Sequence, residues 1–240
     1  MSDFVLTYET NMQVVILAAG RGKRMQALTE DLPKPLLTVL GNNLIEHKID
    51  VLPQEIDEVI IVTGYLGDKI KKHFGDNFKS KKIKYAEQTD LLGTMMALKQ
   101  AKTLLEGRFM VMMGDDIYSK EDVASCLKHS WAVLVKKMTD KIRGARVDVD
   151  SNKHITDIVE GVELEPGMLN NTGLYVLHTD IFKYPLVQIP SGEFGLPQTV
   201  AKAAKDFEIS IVESKNWHQI TSPEDLEKVE KALEEEQKTA

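Results

Sequence analysis

The sequence predicts an α/β protein built on a doubly wound, mainly parallel sheet. Three observations carry that prediction. Short apolar, β-branched runs recur along the first half of the chain. Helix-length amphipathic segments separate them, as crossovers between parallel strands require. The first run, Val14-Val15-Ile16-Leu17-Ala18, opens into a loop of small residues, Ala19-Gly20-Arg21-Gly22, that lets backbone approach a ligand.

Taken in order, residues 13–18 read as a buried strand. Residues 44–52 carry apolar positions at helical spacing (Leu44, Ile45, Ile49, Leu52) and stop at Pro53. Residues 58–63 (EVIIVT) are a second buried strand, and 67–74 a basic amphipathic helix. Residues 83–86 are a short strand. Residues 93–105 read as a helix with Thr94 near its start and Gly107 beyond its end. Residues 109–113 form a strand that stops at Gly114-Asp115-Asp116. The second half changes character. Residues 132–136, 145–149 and 174–177 read as strands without long helices between them, and 161–167 as a loop. Residues 180–182 and 197–205 read as helical, and 209–212 as a strand. Ser222-Pro223-Glu224-Asp225 has the chemistry of a helix start, and the charged helix after it is expected to fray beyond Glu234. No repeat or low-complexity linker interrupts the chain. The simplest organisation is a lead over residues 1–12 and one domain over 13–240, with one half about 13–118 and another about 119–240. The lead reads equally as an edge strand or as disordered chain.

Composition narrows the function classes. A net charge of −7 argues against nucleic acid as the main partner, although local cations still govern a cleft. One cysteine, Cys126, excludes an intrachain disulfide and suits a reducing compartment. No apolar run approaches the roughly 18 residues of a membrane span, and residues 1–12 lack a signal-peptide pattern. The expectation is a cytoplasmic protein with no membrane partner.

The chemistry gathers at the strand ends. Leu17, Ala18, Ala19, Gly20 and Gly22 offer backbone with little side chain in the way. Arg24 closes that loop, and Lys34 follows ten positions later between Pro33 and Pro35. Small residues plus two cations suit a triphosphate and chemistry at its α-phosphate. An ordinary strand-to-turn crossing would also place glycines here. The prolines are expected to hold Lys34 extended, unlike a solvated surface lysine. Asp115, after a strand that stops at Gly114, suits Mg²⁺; a turn-capping role is the plain alternative. Gln88 carries a donor and an acceptor, and with the backbone of Gly93 and Thr94 it can read the imide edge of uracil or thymine; an exposed polar loop residue is the plain alternative.

The full string Leu-Ala-Ala-Gly-x-Gly-x-Arg-Met, then Leu-Pro-Lys-Pro-Leu-Leu, resembles the signature of the sugar-1-phosphate nucleotidyltransferases. The likeness continues through Gln88-x4-Gly93-Thr94, Gly114-Asp115, Asn171-Thr172-Gly173-Leu174-Tyr175 and Thr221-Ser222-Pro223-Glu224-Asp225-Leu226, over about residues 13–232. It implies a Rossmann-like, three-layer fold of the nucleotide-diphospho-sugar transferase type. It implies an Mg²⁺-dependent enzyme that joins a nucleoside triphosphate to a sugar-1-phosphate and releases pyrophosphate. Within it, Arg24 resembles the arginine on the departing pyrophosphate, and Lys34 the lysine bridging nucleotide and sugar phosphate. Gly144, Glu160, Asn171 and Thr172 resemble the residues that meet the sugar. The Gln88 spacing leans towards UTP or dTTP.

The sequence also departs from the family. Gln219, in Trp217-His218-Gln219, stands where the family has an acidic residue or Asn as its second metal ligand. A Gln oxygen can ligate Mg²⁺ but brings no charge. Gly161 stands where a lysine often follows the sugar-site carboxylate. Met95 and Met96 replace smaller residues and read as core packing. Asp116 and His218 read as supporting residues. Two rival functions stay open: cytidylyl transfer to a phosphorylated alcohol, and a non-catalytic nucleotide or nucleotide-sugar sensor, which Gln219 favours. Apolar residues of the second half suit either a core or a second copy, so a homo-oligomer stays open too.

Overall fold

A computed structural model describes residues 12–239. The expected lead falls outside them except for Met12, which is buried. The chain enters at β1 (Gln13–Ala18), passes the small-residue loop and a kinked 3-10 segment (Lys23–Thr29), and makes a second 3-10 turn at Lys34–Leu36. A small hairpin of β2 (Thr38–Val39) and β3 (Asn42–Asn43) leads into α1 (Leu44–Asp50). There follow β4 (Glu58–Thr63), α2 (Gly67–Phe74), β5 (Asn77–Phe78), β6 (Lys81–Glu87), α3 (Thr94–Gln100) and β7 (Arg108–Met113). The second half holds β8 (Asp116–Tyr118), α4 (Lys120–Cys126), β9 (Ala132–Lys137), β10 (Ile142–Val149), β11 (Ile155–Leu164) and β12 (Leu169–His178). It closes with α5 (Leu196–Ala203), β13 (Ser210–Glu213), β14 (Trp217–Gln219) and α6 (Pro223–Thr239).

The main sheet runs β11-β10-β12-β7-β1-β4-β6-β5, with β9 set against β12 and β13. β1 lies between β4 and β7, parallel to both, and β6 continues the parallel set beside β4. β12 turns the sheet antiparallel on the other side of β7. Helices cover both faces. Val14 and Ile16 of β1 pack with Ile45 and Ile49 of α1, Ile70 of α2 and Val123 of α4. Val15 and Leu17 face the opposite cluster, with Leu98 of α3 and Val200 of α5. Burial on both faces explains why this strand is a continuous apolar run. Each fully buried Val or Ile contributes on the order of 1.5–3 kcal/mol. A third cluster (Met25, Leu37, Val39, Leu44, Ile117, Ile220, Val229) fastens α6 over the loops that follow β1. Cys126 ends α4 as a buried free thiol, and burial pushes its ionisation well up.

Several boundaries differ from the expectation. The helix expected over 93–105 ends at Gln100, and a 3-10 turn (Lys102–Leu104) completes it. Residues 180–182 lie in a 3-10 turn, Thr179–Lys183. The loop expected at 161–167 is strand as far as Leu164. Gly144 pairs with Val162 and Ala145 with Glu160, so Gly161, at φ 72°, is the extra residue of a β-bulge. The last helix, expected to fray beyond Glu234, is helical to Thr239, and His218 bonds Glu236 near its end at 3.1 Å. The short helix α4 is not in the expected set; Ser119 caps it by accepting from the Asp122 amide.

Candidate active site

The C-terminal ends of β1 and β7 and the loop after β6 enclose a cleft of about 870 Å³. Its walls include Leu17, Ala18, Ala19, Gly20, Gly22, Arg24, Lys34, Gln88, Gly93, Thr94 and Asp115. The expected nucleotide residues therefore converge, although they span almost a hundred positions of chain. Gly22 takes the left-handed conformation at φ 63°, and a Cβ there would come within 2.9 Å of the Lys34 Cβ. That close approach seats the loop on the Lys34 turn. Arg24 is exposed, while its neighbour Met25 is fully buried and anchors the segment.

Lys34 is buried, and its Nζ lies 2.6 Å from Asp115 Oδ2. It does not extend between its prolines as expected. It opens a 3-10 turn closed by Leu36 N to Pro33 O (2.8 Å) and Leu37 N to Lys34 O (3.0 Å). Pro33, at φ −65°, presets that turn, and burial of Pro35 and Leu36 holds it. Asp115 keeps about a third of its side chain exposed to the cleft. Gly114 before it admits no side chain, since a Cβ would lie 2.5 Å from the Leu17 carbonyl.

Gln88 is buried, and its Nε2 donates to the Gly93 carbonyl at 3.2 Å. Gly93 has φ 100°, and a Cβ there would meet the Phe194 carbonyl oxygen at 2.6 Å. The segment is stitched to the second half: Met95 N donates to Phe194 O, Phe194 N to Leu92 O, and Leu196 N to Thr94 Oγ1. The Thr94 hydroxyl thus holds the wall together. Met95 is buried in the core, as its size suggested.

The expected sugar residues do not line this cleft. Gly144 makes room for Asn170: a Cβ would lie 2.4 Å from Asn170 Oδ1, which accepts from Ala145 N at 2.9 Å. Glu160 is exposed and accepts from Gln198 Nε2 at 2.9 Å. Asn171 spans a kink in β12, donating to the Tyr175 hydroxyl at 2.6 Å and accepting from Gly173 N. Thr172 is buried and its hydroxyl donates to the Leu134 carbonyl at 2.8 Å, so that group is not free for a sugar. Gln219 pairs with Asp116 across β14 and β8; it is exposed and stands outside the cleft wall.

Residues that the sequence reading did not assign to the site also meet it, and Asp116, set aside there as a metal ligand, lies with them. Glu193 and Thr221 line the cleft, delivered by loops that only tertiary contact brings near. Lys48 and Asp116 lie beneath it. Lys48 is fully buried, and burial lowers its pKa to about 8, although the Asp116 and Asp115 charges oppose that fall. Burial, then the Asp115 charge, pushes the Asp116 carboxyl well up, and its Oδ1 has no partner. The signal for Lys48 was its register: it sits on the apolar stripe of α1, four residues after Leu44.

Against known proteins, the model of the family described as nucleotidyl transferase matches residues 13–236. The chain is 28% identical over 227 residues to the bifunctional protein GlmU of Methanocaldococcus jannaschii, covering 92% of this chain and 54% of that protein. It thus spans about half the length of that relative. It is 30% identical over 243 residues to the UTP–glucose-1-phosphate uridylyltransferase AglF of Haloferax volcanii, covering 94% and 98%. Its fold matches a proposed glucose-1-phosphate thymidylyltransferase from Bacillus anthracis, with a TM-score of 0.78 at 24% identity over 92% and 94% of the two chains. With a family model spanning nearly the whole chain and a cleft lined by the family's signature loop, this protein belongs to the sugar-1-phosphate nucleotidyltransferases.

Proposed function

We propose that the protein transfers a nucleotidyl group from a nucleoside triphosphate, UTP or dTTP, to a sugar-1-phosphate and releases pyrophosphate. The observation that carries this reading is the cleft itself. A glycine-rich backbone edge, a set of cations that includes Arg24 and Lys34, and the Asp115 carboxylate paired with Lys34 share the cleft at the strand ends. The name of the H. volcanii relative supports UTP and a hexose-1-phosphate. The base reading otherwise rests on Gln88.

In this mechanism an oxygen of the sugar phosphate attacks the α-phosphorus, and the bond from that phosphorus to the bridging oxygen breaks. The electron pair leaves with pyrophosphate. The acceptor is already anionic at neutral pH, so the protein needs no general base. Its work is positioning and charge neutralisation. The loop amides of residues 19–22 orient the triphosphate, Arg24 neutralises the departing pyrophosphate, and Lys34 draws the two reacting phosphates together. Its present partner, Asp115, holds the ammonium at the cleft floor until phosphate oxygens share it.

Among the described residues no group of three or more His, Cys, Asp or Glu side chains is arranged to hold a metal by itself. The Asp115 carboxylate at the strand ends fits Mg²⁺ all the same, since that ion takes one or two carboxylates and fills its sphere with phosphate and water. Asp115 would hold it, with Gln219 as a neutral second oxygen. The ion would supply further neutralisation of the triphosphate. Glu160, with Gly144, Asn171 and the backbone of Thr172, would form the outer sugar contacts.

The test is pyrophosphate release with Mg²⁺ across UTP, dTTP, CTP, GTP and ATP, each with a pool of sugar-1-phosphates and phosphorylated alcohols. Release that needs UTP or dTTP and a sugar-1-phosphate is the expected result. Release only with CTP and an alcohol phosphate would replace it with the cytidylyl reading. Nucleotide binding without release from any pair would favour the sensor reading and point to the uncharged Gln219.

A further inference from the structure

We infer that Lys48 is a positioning residue for the reaction: it fixes the turn bearing Asp115 relative to the turn bearing Lys34. The inference rests on the reading of Lys34 and Asp115 as the groups that handle phosphate.

The geometry is specific. The Lys48 ammonium donates to three carbonyls, Leu44 at 3.0 Å, Gly114 at 3.2 Å and Asp116 at 2.5 Å. A lysine has three donors, and all three are used. Gly114 and Asp116 are the two neighbours of Asp115, so one ammonium grips the main chain on both sides of that carboxylate. The third carbonyl belongs to α1. The first residue of α1 is tied in turn to the Lys34 turn, through Leu44 N to Leu37 O at 3.1 Å and Leu37 N to Lys34 O at 3.0 Å. A short chain of bonds therefore runs from the Lys34 turn through α1 to the Asp115 turn. The Lys34–Asp115 contact closes the ring at 2.6 Å.

The site is braced from the other side as well. Gly114 N donates to the Leu17 carbonyl at 2.9 Å. The Tyr118 hydroxyl meets Asp116 Oδ2 at 3.4 Å and donates to the Thr172 carbonyl at 3.0 Å. The Asp115 turn is thereby fastened to β1, α1 and β12 at once.

Stability alone does not explain this lysine. Taking an ammonium out of water is costly, and a well-packed apolar residue often serves a buried site as well or better. Lys48 stands on the apolar stripe of α1, where Met would fill the same space. What Met would lose is the grip on two carbonyls that bracket a reacting group. A misplacement of about an ångström at such a group costs around a hundredfold in rate.

The experiment compares the parent with Lys48→Met, Lys48→Gln and Asp115→Ala, all checked for folding by circular dichroism. It reads kcat, Mn²⁺ affinity by electron paramagnetic resonance, and nucleotide affinity in EDTA. Lys48→Met is expected to lower kcat roughly thirtyfold to a hundredfold and to weaken Mn²⁺ about tenfold, the scale seen when a residue supporting a metal ligand is removed. Nucleotide affinity in EDTA should stay within about twofold of the parent, since the phosphate loop is untouched. Lys48→Gln keeps two donors and should fall between. A folded Lys48→Met with parent kcat and parent Mn²⁺ affinity overturns the inference, as does a metal-free nucleotide affinity that falls in step with kcat. If Lys48→Met does not fold, Lys48→Gln carries the test: a kcat lowered about threefold or more supports it, and parent kcat overturns it. Asp115→Ala separates the two readings. Parent kcat in that variant sinks the assignment of Asp115, whereas an inactive Asp115→Ala beside a fully active Lys48→Met sinks only the role of Lys48.

Discussion

The two halves of the molecule place their polar residues in opposite ways. In the first half, side chains and backbone from β1, the Lys34 turn, the loop after β6 and the end of β7 all reach one cleft. In the second half, Gly144, Asn171 and Thr172 are occupied in shaping strands: a bulge, a kink and a buried hydroxyl. The contrast follows from topology. Parallel strands end on the same edge of a sheet, so their loops share a site without long reach. Long antiparallel strands meet along their length, and a side chain there answers first to its neighbours across the ladder. Under the proposed function, phosphate handling would be compact and local, while acceptor choice would be spread through strand pairing.

The largest effect that sharpens this contrast is expected at the cleft floor. Lys34→Ala should lower kcat about a hundredfold or more, on the order of 3 kcal/mol of transition-state stabilisation, with a native circular dichroism spectrum. Turnover unchanged in pyrophosphate release would break the contrast at its centre. Next comes the seam between the halves. Gly93→Ala forces a Cβ against the Phe194 backbone at φ 100° and should cost about 2–3 kcal/mol. Urea melts should show it, together with a raised KM for the triphosphate. A variant as stable as the parent would mean that the seam yields.

A smaller effect is expected at the start of α6. Asp225 accepts from Thr221 N, Thr221 Oγ1 and Ser222 N, each at 2.8 Å. Partial burial pushes its pKa up, but these bonds outweigh burial, and the net shift is downward. A carboxyl lowered in the folded state adds stability that is present above its unfolded value and is lost as pH falls through the folded one. Asp225→Asn should therefore cost about 1–2 kcal/mol at pH 7, with the gap to the parent closing below about pH 4. A gap that persists at pH 2 in thermal melts would contradict this account. The smallest effect is in the acceptor half. Thr172→Val should lose about 1 kcal/mol of stability from its hydrogen bond to Leu134 and leave the KM for sugar-1-phosphate within about twofold. A large KM change there would mean that the hydroxyl meets the substrate after all.

Much of the fold was legible because the central strands are buried on both faces and read as unbroken apolar runs. Gly161 was misread because a glycine in a strand bulge and one in a loop look alike until the partner strand is known. Glu193 carries no local pattern, and Thr221 was legible only as the head of a helix-opening segment; that both reach the cleft shows only in the folded chain. Lys34 was legible as a cation unlike a solvated surface lysine but not as part of a turn, since two prolines suggest extension while the hydrogen bonds around them close a 3-10 turn. Lys48 interrupts an apolar stripe, and such an interruption is visible in sequence. The carbonyls that it meets are visible only in three dimensions.

The buried thiol of Cys126 has a practical consequence. The thiolate is the form that reacts with alkylating and oxidising reagents, and burial suppresses both its formation and its access. The native chain therefore offers thiol-directed labels almost no purchase. A cysteine introduced at an exposed cleft position such as Glu193 would be the single reactive thiol on the molecule. A fluorophore attached there would report occupancy of the cleft against a silent background, with no native residue to be removed first.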